Sequence, residues 1–599
     1  MFLWNVDGEW AMVIAEYAKL HFYFQTLNPK SHNTYHSSQH PNMPITNDYI
    51  ADQFSLLSKL MDIHGENSFK IKTYSIAAFT IEKLPKQLAD MSQSEMFSVK
   101  GIGDATGKKI LTILQTGELP QLKEIIEKTP PGVIEMLNIK GIGPKKIATI
   151  WKEMEIESIG ELLYACNENR LLLYKGFGEK TQKSVRDTIE FYFKSQGSYL
   201  YQEAEDFAFM MDKRLKSAFS SKKFELTGEF KRQLEIINLL EWATTASASD
   251  LKSFFEKENF TTEEESDDKI IFKSEQSIRL AFFISTEELF YSTLFEKNCS
   301  EEFLHVWKEK TGWNSSATYS SEEDIFSSVK INFIPAYERE EAVIIDEARA
   351  TLLPTVIQPE DIKSIIHSHS NWSDGSNTIE EMAKACIEQG FEYLVISDHS
   401  KSAFYANGLT EERIKEQHHY VDELNEKFAP FKIFKSIESD ILNDGNLDYS
   451  DNILSTFDLV IASVHSNLKM TEEKAMMRLM KAIENPHTTI LGHMTGRLLL
   501  SRPGYPVSHE KIIDACAANN VVIELNAHPR RLDMDWRWIR HALKKNVLIS
   551  IDPDAHSING YKDVKYGTLA AQKAGVTKEK NLSSFGLKEF EEHLKKVKS

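Results

Sequence analysis

The 599-residue sequence has few cysteines, a shortage of base and no long apolar runs. Its four cysteines (Cys166, Cys299, Cys386, Cys516) lie far apart and form no CxxC pair. That argues against a disulfide framework or a thiolate zinc site and fits a reducing cytoplasm. Acids outnumber bases, 89 Asp+Glu against 70 Lys+Arg, for a formal net charge of −19. A generally basic nucleic-acid coat is excluded, whereas binding through a local patch is not. No uninterrupted apolar run reaches the roughly 18 residues of a membrane span, so no membrane partner is expected. The remainder is ordinary for a globular protein, 41% hydrophobic and 27% charged. Its length calls for about three or four domains.

Residues 1–42 carry acids inside their apolar part and no basic leader, which argues against a signal peptide. They are read as a disordered extension or a mis-assigned start ahead of Met43, and their histidines (His32, His36, His40) as incidental. A helix opener, "PITNDYIADQFSLLSKLMDIHG", follows. Next, "GENSFKIKTYSIAAFTIEKLP" (65–85) has the spacing of an amphipathic helix. Lys70 and Lys72 there are phosphate contacts or solvated charges.

Three segments then repeat one another: "SVKGIGDATGKKI" (98–110), "NIKGIGPKKIATI" (138–150) and "LYKGFGEKTQKSV" (173–185). Each reads Lys-Gly-apolar-Gly before an amphipathic run, which predicts a helix, a tight glycine turn and a second helix. Glycines at 101/103, 141/143 and 176/178 let backbone N–H groups approach an anion, and the next helix start favours phosphate. Lys108, Lys109, Lys145, Lys146 and Lys180 are placed to reach the same phosphates. The segments resemble helix-hairpin-helix motifs, which bind the DNA backbone without reading sequence. The bland alternative is glycine caps in a helical domain.

The helix at 65–85 resembles the N-terminal DNA-end-binding domain of family X DNA polymerases. That resemblance implies a palm with Gly-Ser-x-Arg-Arg, then Asp-x-Asp, then a third aspartate, the carboxylates holding two metals. The matching stretch is "TGEFKRQLEIINLLEW" (227–242). Gly228 fits, Lys231 and Arg232 stand for the arginine pair, and Leu239-Leu240-Glu241 occupies the Asp-x-Asp position. The third aspartate aligns with Arg279. An alkyl group cannot ligate a metal and a guanidinium repels one, so a degenerate polymerase palm is expected, with Glu235 a nearby acid. "IPAYEREEAVIIDEA" (334–348), with Pro335 and Arg339-Glu340, resembles the linker that ends the polymerase half.

In the last third, ligand-type residues recur at the ends of apolar, β-rich runs. "IIHSHSNWSDG" supplies His367, His369 and Asp374, and "EYLVISDHS" supplies Asp398 and His399. Later runs supply Glu438 and Asp440, His465, His493, then Glu524, Asn526 and His528, and finally Asp554 and His556. His367 and His369, two apart on a strand, should share a face. Helical patterns at 378–389, 411–427, 471–484 and 507–518 intervene. Strand–helix alternation with polar strand ends describes a β/α barrel with its site at that face. Imidazole and carboxylate without thiolate suit divalent metals of the zinc, manganese or iron kind.

This set resembles the polymerase-and-histidinol-phosphatase (PHP) family. The resemblance implies nine ligands, His367, His369, Asp374, His399, Glu438, His465, His493, Asp554 and His556, holding three divalent ions. Mn2+ is favoured, with Zn2+ or Fe2+ as alternatives. Arg497, Arg530 or Arg531 would meet phosphate charge, and His528 would protonate a leaving group. The whole chain resembles bacterial PolX. The expected architecture is a multidomain chain: helix-hairpin-helix N-terminal region, α+β X-type palm and C-terminal distorted β/α barrel. Its boundaries are 43–125 (DNA-end domain with the first hairpin), 126–195 (second and third hairpins), 196–345 (palm) and 360–599 (PHP). The implied activity is metal-dependent 3′→5′ processing of gapped or recessed DNA ends by a cytoplasmic, nucleoid-associated bacterial monomer. One alternative is an active gap-filling polymerase, requiring Mg2+ and dNTP, with a 3′→5′ exonuclease. Others are a histidinol-phosphatase-type small-molecule phosphatase and a non-enzymatic DNA-end scaffold.

Overall fold

The computed structural model describes residues 45–139, 141–167, 170–195, 197–274, 278–403, 406–500 and 503–597. The 1–42 extension with His32, His36 and His40 lies outside the described residues. The chain forms two compact units, one through Gln196 and one from Gly197 to Ser599.

The first unit is helical. Helix α1 (Asn47–His64) starts at Thr46, whose side chain accepts from Tyr49 N, and stops at left-handed Gly65. It buries Ile50, Phe54, Leu57, Leu60 and Met61. Helix α2 (Ser68–Glu82) corrects the one-sided amphipathic reading: Tyr74, Ala77, Ala78 and Ile81 are buried, whereas Phe69, Ile76 and Phe79 are exposed. Apolar residues run round this helix, so spacing alone does not select the buried face. The three repeats are helical hairpins. Gly101, Gly141 and Gly176 take φ of 101, 96 and 95°, a backbone that side chains rarely adopt. Gly103 and Gly143 precede α3 (Asp104–Thr116) and α4 (Pro144–Lys152), and Gly178 precedes α5 (Glu179–Ser195). The residue between each glycine pair, Ile102, Ile142 or Phe177, plugs the core.

The second unit begins with α6 (Tyr201–Ala218) and a five-stranded sheet: β1 (Phe224–Thr227), β2 (Leu240–Thr244), β3 (Phe260–Glu265), β4 (Lys269–Ser274) and β5 (Arg279–Ile284). Its spatial order is β1-β2-β5-β4-β3, with β2 and β5 parallel and the other pairs antiparallel. Trp242 stacks on Phe282 and Phe255 on Phe272 at its centre.

Seven parallel strands follow: β6 (Ser364–Ser368), β7 (Tyr393–Ile396), β8 (Lys432–Asp440), β9 (Leu459–Ser463), β10 (Ile490–Leu491), β11 (Val522–Asn526) and β12 (Ile549–Asp552). They lie side by side in chain order. The sheet closes on itself through a bridge between Ser368 and Ala555. Helices α7 (Ile379–Gln389), α8 (Glu411–Phe428), α9 (Glu472–Ile483), α10 (His509–Asn519), α11 (Trp536–Lys544) and α12 (Val564–Lys573) lie between or after the strands. The strands are buried on both faces, which is why they read as continuous apolar runs. No described helix is long and apolar enough to cross a membrane.

Sheet and barrel meet around one buried amine. Lys573 of α12 donates to the carbonyls of Arg232 (2.5 Å) and Tyr337 (3.4 Å). Its Nζ lies 3.5 Å from Glu340, which also pairs with Arg232 at 2.8 Å. Burial, helped by Arg232, outweighs Glu340 and Glu235 and pulls the Lys573 amine down to about 8. Its charged form is therefore penalised by folding below that pH, and the penalty vanishes as pH rises towards the unfolded value near 10.5. The stability of the wild type relative to Lys573→Met should accordingly rise between about pH 8 and 10. The gain should be on the order of 3 kcal/mol by denaturant titration. A pH-independent difference would contradict the buried ion.

Candidate metal centre

The site grows from irregularities where the barrel closes. The β6–β7 register shifts between Ile365 and Ser368. His367 sits at φ 56° and Asp554 at φ 52°. Both precede the bridging residues, Ser368 and Ala555. Left-handed backbone at non-glycine residues stores strain and concentrates at functional sites. This corrects the simple pleat argument: His367 and His369 reach one site, but through a kinked strand end. Ala555 N donates to His367 O and His369 N to Ala555 O, fixing the kink.

Glu438, fully buried near the end of β8, is the hub. Its Oε1 lies 3.2 Å from His367 Nε2, 3.1 Å from His465 Nε2 and 3.0 Å from His493 Nε2. Its Oε2 lies 2.9 Å from His399 Nδ1 and 3.7 Å from His369 Nε2. Around it, three groups bring ligand atoms within 4.8 Å of one another: His369/Asp374/His399/His556, His367/His369/Asp554 and His399/Glu438/His465. They share His369 and His399 and so form one continuous cluster. His493 joins it through Glu438.

Burial alone would protonate these carboxylates, but the imidazoles prevail. Glu438 is held well below its ordinary range by His465, His367 and His399, and Asp554 likewise by His367 and His369. Asp374 falls to about 2 against its own burial, through His556. Reciprocally, His465 rises to about 10 and His556 to about 9 despite burial, through their carboxylate neighbours. His369, buried beside His556 and His399, falls to about 3.

The donor set fits a divalent cation. It contains only imidazole nitrogen and carboxylate oxygen. His367 Nε2 and Glu438 Oε2 are buried without a hydrogen bond among the described residues. Groups of that kind are costly to bury unless something else satisfies them.

A surrounding layer orients the cluster. Glu524 accepts from His367 Nδ1 and from His493 N at 2.5 Å. Asp440 accepts from His465 Nδ1 at 2.5 Å. The bonds to His367 and His465 turn each Nε2 towards Glu438. Asp398 faces away from the cluster and accepts from Ser370, Ser373 and Gln417, holding the turn that presents Asp374. Gly375 has no room for a side chain: a Cβ would sit 2.0 Å from His369 O. Asn526 donates to Asp554 at 3.1 Å. The family resemblance left Asp398, Asp440, Glu524 and Asn526 outside its nine implied ligands, and the structure shows each hydrogen-bonded to a cluster residue or to the turn beside it.

Two flanking arginines differ in commitment. Arg497 donates to the carbonyls of Arg531 (2.9 Å) and Leu532 and to Asp535 (2.5 Å), so its guanidinium is occupied by a loop. Arg531 is the arginine beside the cluster, with Nε 3.4 Å from Asp554. His528 Nδ1 accepts from Arg530 N, leaving its neutral ring protonated at Nε2. Burial lowers the His528 pKa despite Asp554.

Among the described residues, the palm positions lack such a cluster. In the β2–β5 pair Leu240 faces Leu280 and Glu241 faces Ala281, which puts Leu239, Glu241 and Arg279 on one face. Arg279 pairs with Glu263 at 2.7 Å. Glu241 lies over Gly228, where a Cβ would come 1.5 Å from its Oε2, and accepts from Glu229 N. Burial raises its pKa. Arg232 is taken up by Glu340 and the carbonyls of Lys297 and Cys299. In the hairpins, Gly103, Gly143 and Gly178 face open space, and Lys108 and Lys145 are exposed.

Comparison with known proteins places these features. Residues 45–119 match the helix-hairpin-helix domain, 133–190 the SAM-like helix-hairpin-helix tandem and 366–528 the PHP domain. The chain is 32% identical over 557 residues to the DNA polymerase/3′-5′ exonuclease PolX of Bacillus subtilis (strain 168), covering 90% of this chain and 97% of that one. A probable phosphatase of Thermoanaerobacter sp. (strain X514) is 26% identical over 246 residues, 39% of this chain and 94% of its own. A probable phosphatase of Caldanaerobacter subterraneus is 28% identical over 171 residues, 27% and 60% respectively.

Glu524→Gln should weaken divalent-metal affinity by about 10–100-fold. Gly375→Ala should lower the metal retained after dialysis by displacing Asp374. Elemental analysis and metal titration check both, and full retention in each would remove the outer layer's role.

Proposed function

The chain belongs to the PolX family, and we propose that its barrel is the catalytic centre, a metal-dependent phosphoesterase that trims 3′ ends of DNA. The single observation that carries this reading is the contrast between the two candidate sites. One has three adjoining groups of imidazole and carboxylate that could hold metal ions. The other has Leu239, Arg279 and a backbone-bound Glu241. Under this reading the hairpins of 43–195 hold the DNA backbone, 196–345 is a palm without nucleotidyl transfer, and 360–599 does the hydrolysis.

His367, His369, Asp374, His399, Glu438, His465, His493, Asp554 and His556 would hold the metal ions, three in number and Mn2+ by preference. Bound there, such ions supply hydroxide near neutral pH and relieve charge on phosphate oxygens. The chain's own groups do the rest. Glu524 and Asp440 fix the tautomers of His367 and His465. Arg531, beside Asp554, offers the scissile phosphate a cation at the cluster's edge. His528, with its neutral ring protonated at Nε2, can donate a hydrogen bond to the departing sugar oxygen; full proton transfer would require the imidazolium, which burial disfavours. Arg497 supports the loop bearing both. The protein is read as a cytoplasmic, nucleoid-associated monomer acting on gapped or recessed ends.

The PHP-type probable phosphatases support a second reading, hydrolysis of small phosphomonoesters. The hairpins favour DNA, since a small-molecule phosphatase has no use for them. End-labelled recessed DNA with Mn2+ should shorten with wild type and not with His465→Ala, and added deoxynucleotides should give no extension. Extension would revive the palm. Phosphomonoester hydrolysis without DNA shortening would favour the second reading. For the hairpins, Lys108→Ala/Lys145→Ala should flatten the slope of log K against log salt by about one for each phosphate that a removed lysine had neutralised. An unchanged slope would move the DNA grip elsewhere.

A further inference from the structure

Two acidic side chains of residues 197–345 end on the barrel. Glu235 follows the short helix Gly228–Lys231, and its carboxylate is nearly buried. It accepts from Arg537 at 2.8 Å and from Trp536 Nε1 at 3.1 Å. Arg537 also donates to Asp535 at 3.0 Å, and Asp535 accepts from Arg497. The result is a ladder of alternating charge, Glu235, Arg537, Asp535, Arg497. Its last member grips the carbonyls of Arg531 and Leu532.

A second tie runs in parallel. Glu203 of α6 accepts from Arg530 at 3.1 Å while its other oxygen caps Leu200 N. Arg530 O in turn accepts from Leu499 N. Both ties converge on residues 527–535, the segment that carries His528 and Arg531. Leu234, next to Glu235, packs against the barrel's hydrophobic core. Partly buried, networked ion pairs of this kind fix geometry more than isolated exposed ones do.

We infer that the degenerate palm is a brace for the hydrolytic site. Glu235 and Glu203 are positioning residues that hold the 527–535 loop so that His528 and Arg531 face the ligand cluster. Neither glutamate touches the cluster; each acts through the loop. The inference rests on the barrel being the hydrolase. It also gives the palm a use that requires no metal ligands of its own.

The test compares full-length wild type with Glu235→Gln/Glu203→Gln. Glutamine can keep one acceptor oxygen, for Trp536 or Leu200, and sets an amide NH2 against Arg537 or Arg530, removing the charge and the acceptor on that side. Two readouts are used. The first is hydrogen exchange of amides 527–535 in metal-free protein, which needs no activity. The second is kcat and KM on recessed DNA and on bis(p-nitrophenyl) phosphate with Mn2+. In the double glutamine variant the loop amides should exchange at least about tenfold faster, with kcat down about 10–100-fold on both substrates. KM for the small ester and exchange in the β8 core should stay at wild-type values. Unchanged loop exchange would overturn the brace. So would an unchanged kcat in an active wild type. If wild type hydrolyses neither substrate but the loop loosens, the hydrolase reading fails while the mechanical tie stands.

Discussion

One buried carboxylate organises the barrel end of this protein. Glu438 is shut off from solvent, and imidazoles from the ends of β6, β7, β9 and β10 approach its two oxygens within 3.7 Å. A lone carboxylate at that depth would take up a proton. Here the surrounding rings keep it ionised, and it in turn raises His465. The kinked end of β6, the bridge to Ala555 and the Asp398-held turn all serve to bring side chains to this point. Removing a partner would leave buried charge uncompensated, which is why the outer hydrogen bonds matter as much as the cluster itself.

The two carboxylate-bearing regions of the second unit have diverged in use. In the barrel, acids and imidazoles point inward at one another. In the palm, the residual acids are bound to backbone and to neighbours: Glu241 to Glu229 N, Glu229 to Asn238, and Glu235 to the barrel. Arg232 and Lys573 are equally committed to the junction. The five-stranded sheet thus packs beside the barrel with its acidic groups engaged by backbone and by neighbours. Hydrophobic stacking around Trp242 and Phe282 holds the sheet without help from a metal.

Much of this was readable along the chain. Apolar runs ending in His, Asp or Glu mark parallel strands that deliver ligands to one face of a barrel, because connections return each strand in the same direction. The helical stretches read between them are α7 to α10, within a residue or two at each end. Glycine pairs at constant spacing mark turns because few other residues accept φ near 100°. The face of α2 was not readable, since apolar residues surround it. Nor were the separate roles of Arg497 and Arg531, which lie in loops of similar composition.

The sequence by itself determined the element types, the recurrence of histidine and carboxylate at strand ends, and the leucine and arginine that stand at the positions aligned with a palm's carboxylates. Each depends on residue identity and short-range spacing, which the linear chain carries in full. Tertiary structure alone decided how Asp398, Asp440, Glu524 and Asn526 are hydrogen-bonded, why His367 reaches the cluster through a kinked strand end, and where Glu235 is bound. Those outcomes turn on distances between residues up to about three hundred positions apart. Burial then sets their charge, and neither quantity exists until the barrel has closed and the palm has docked on it.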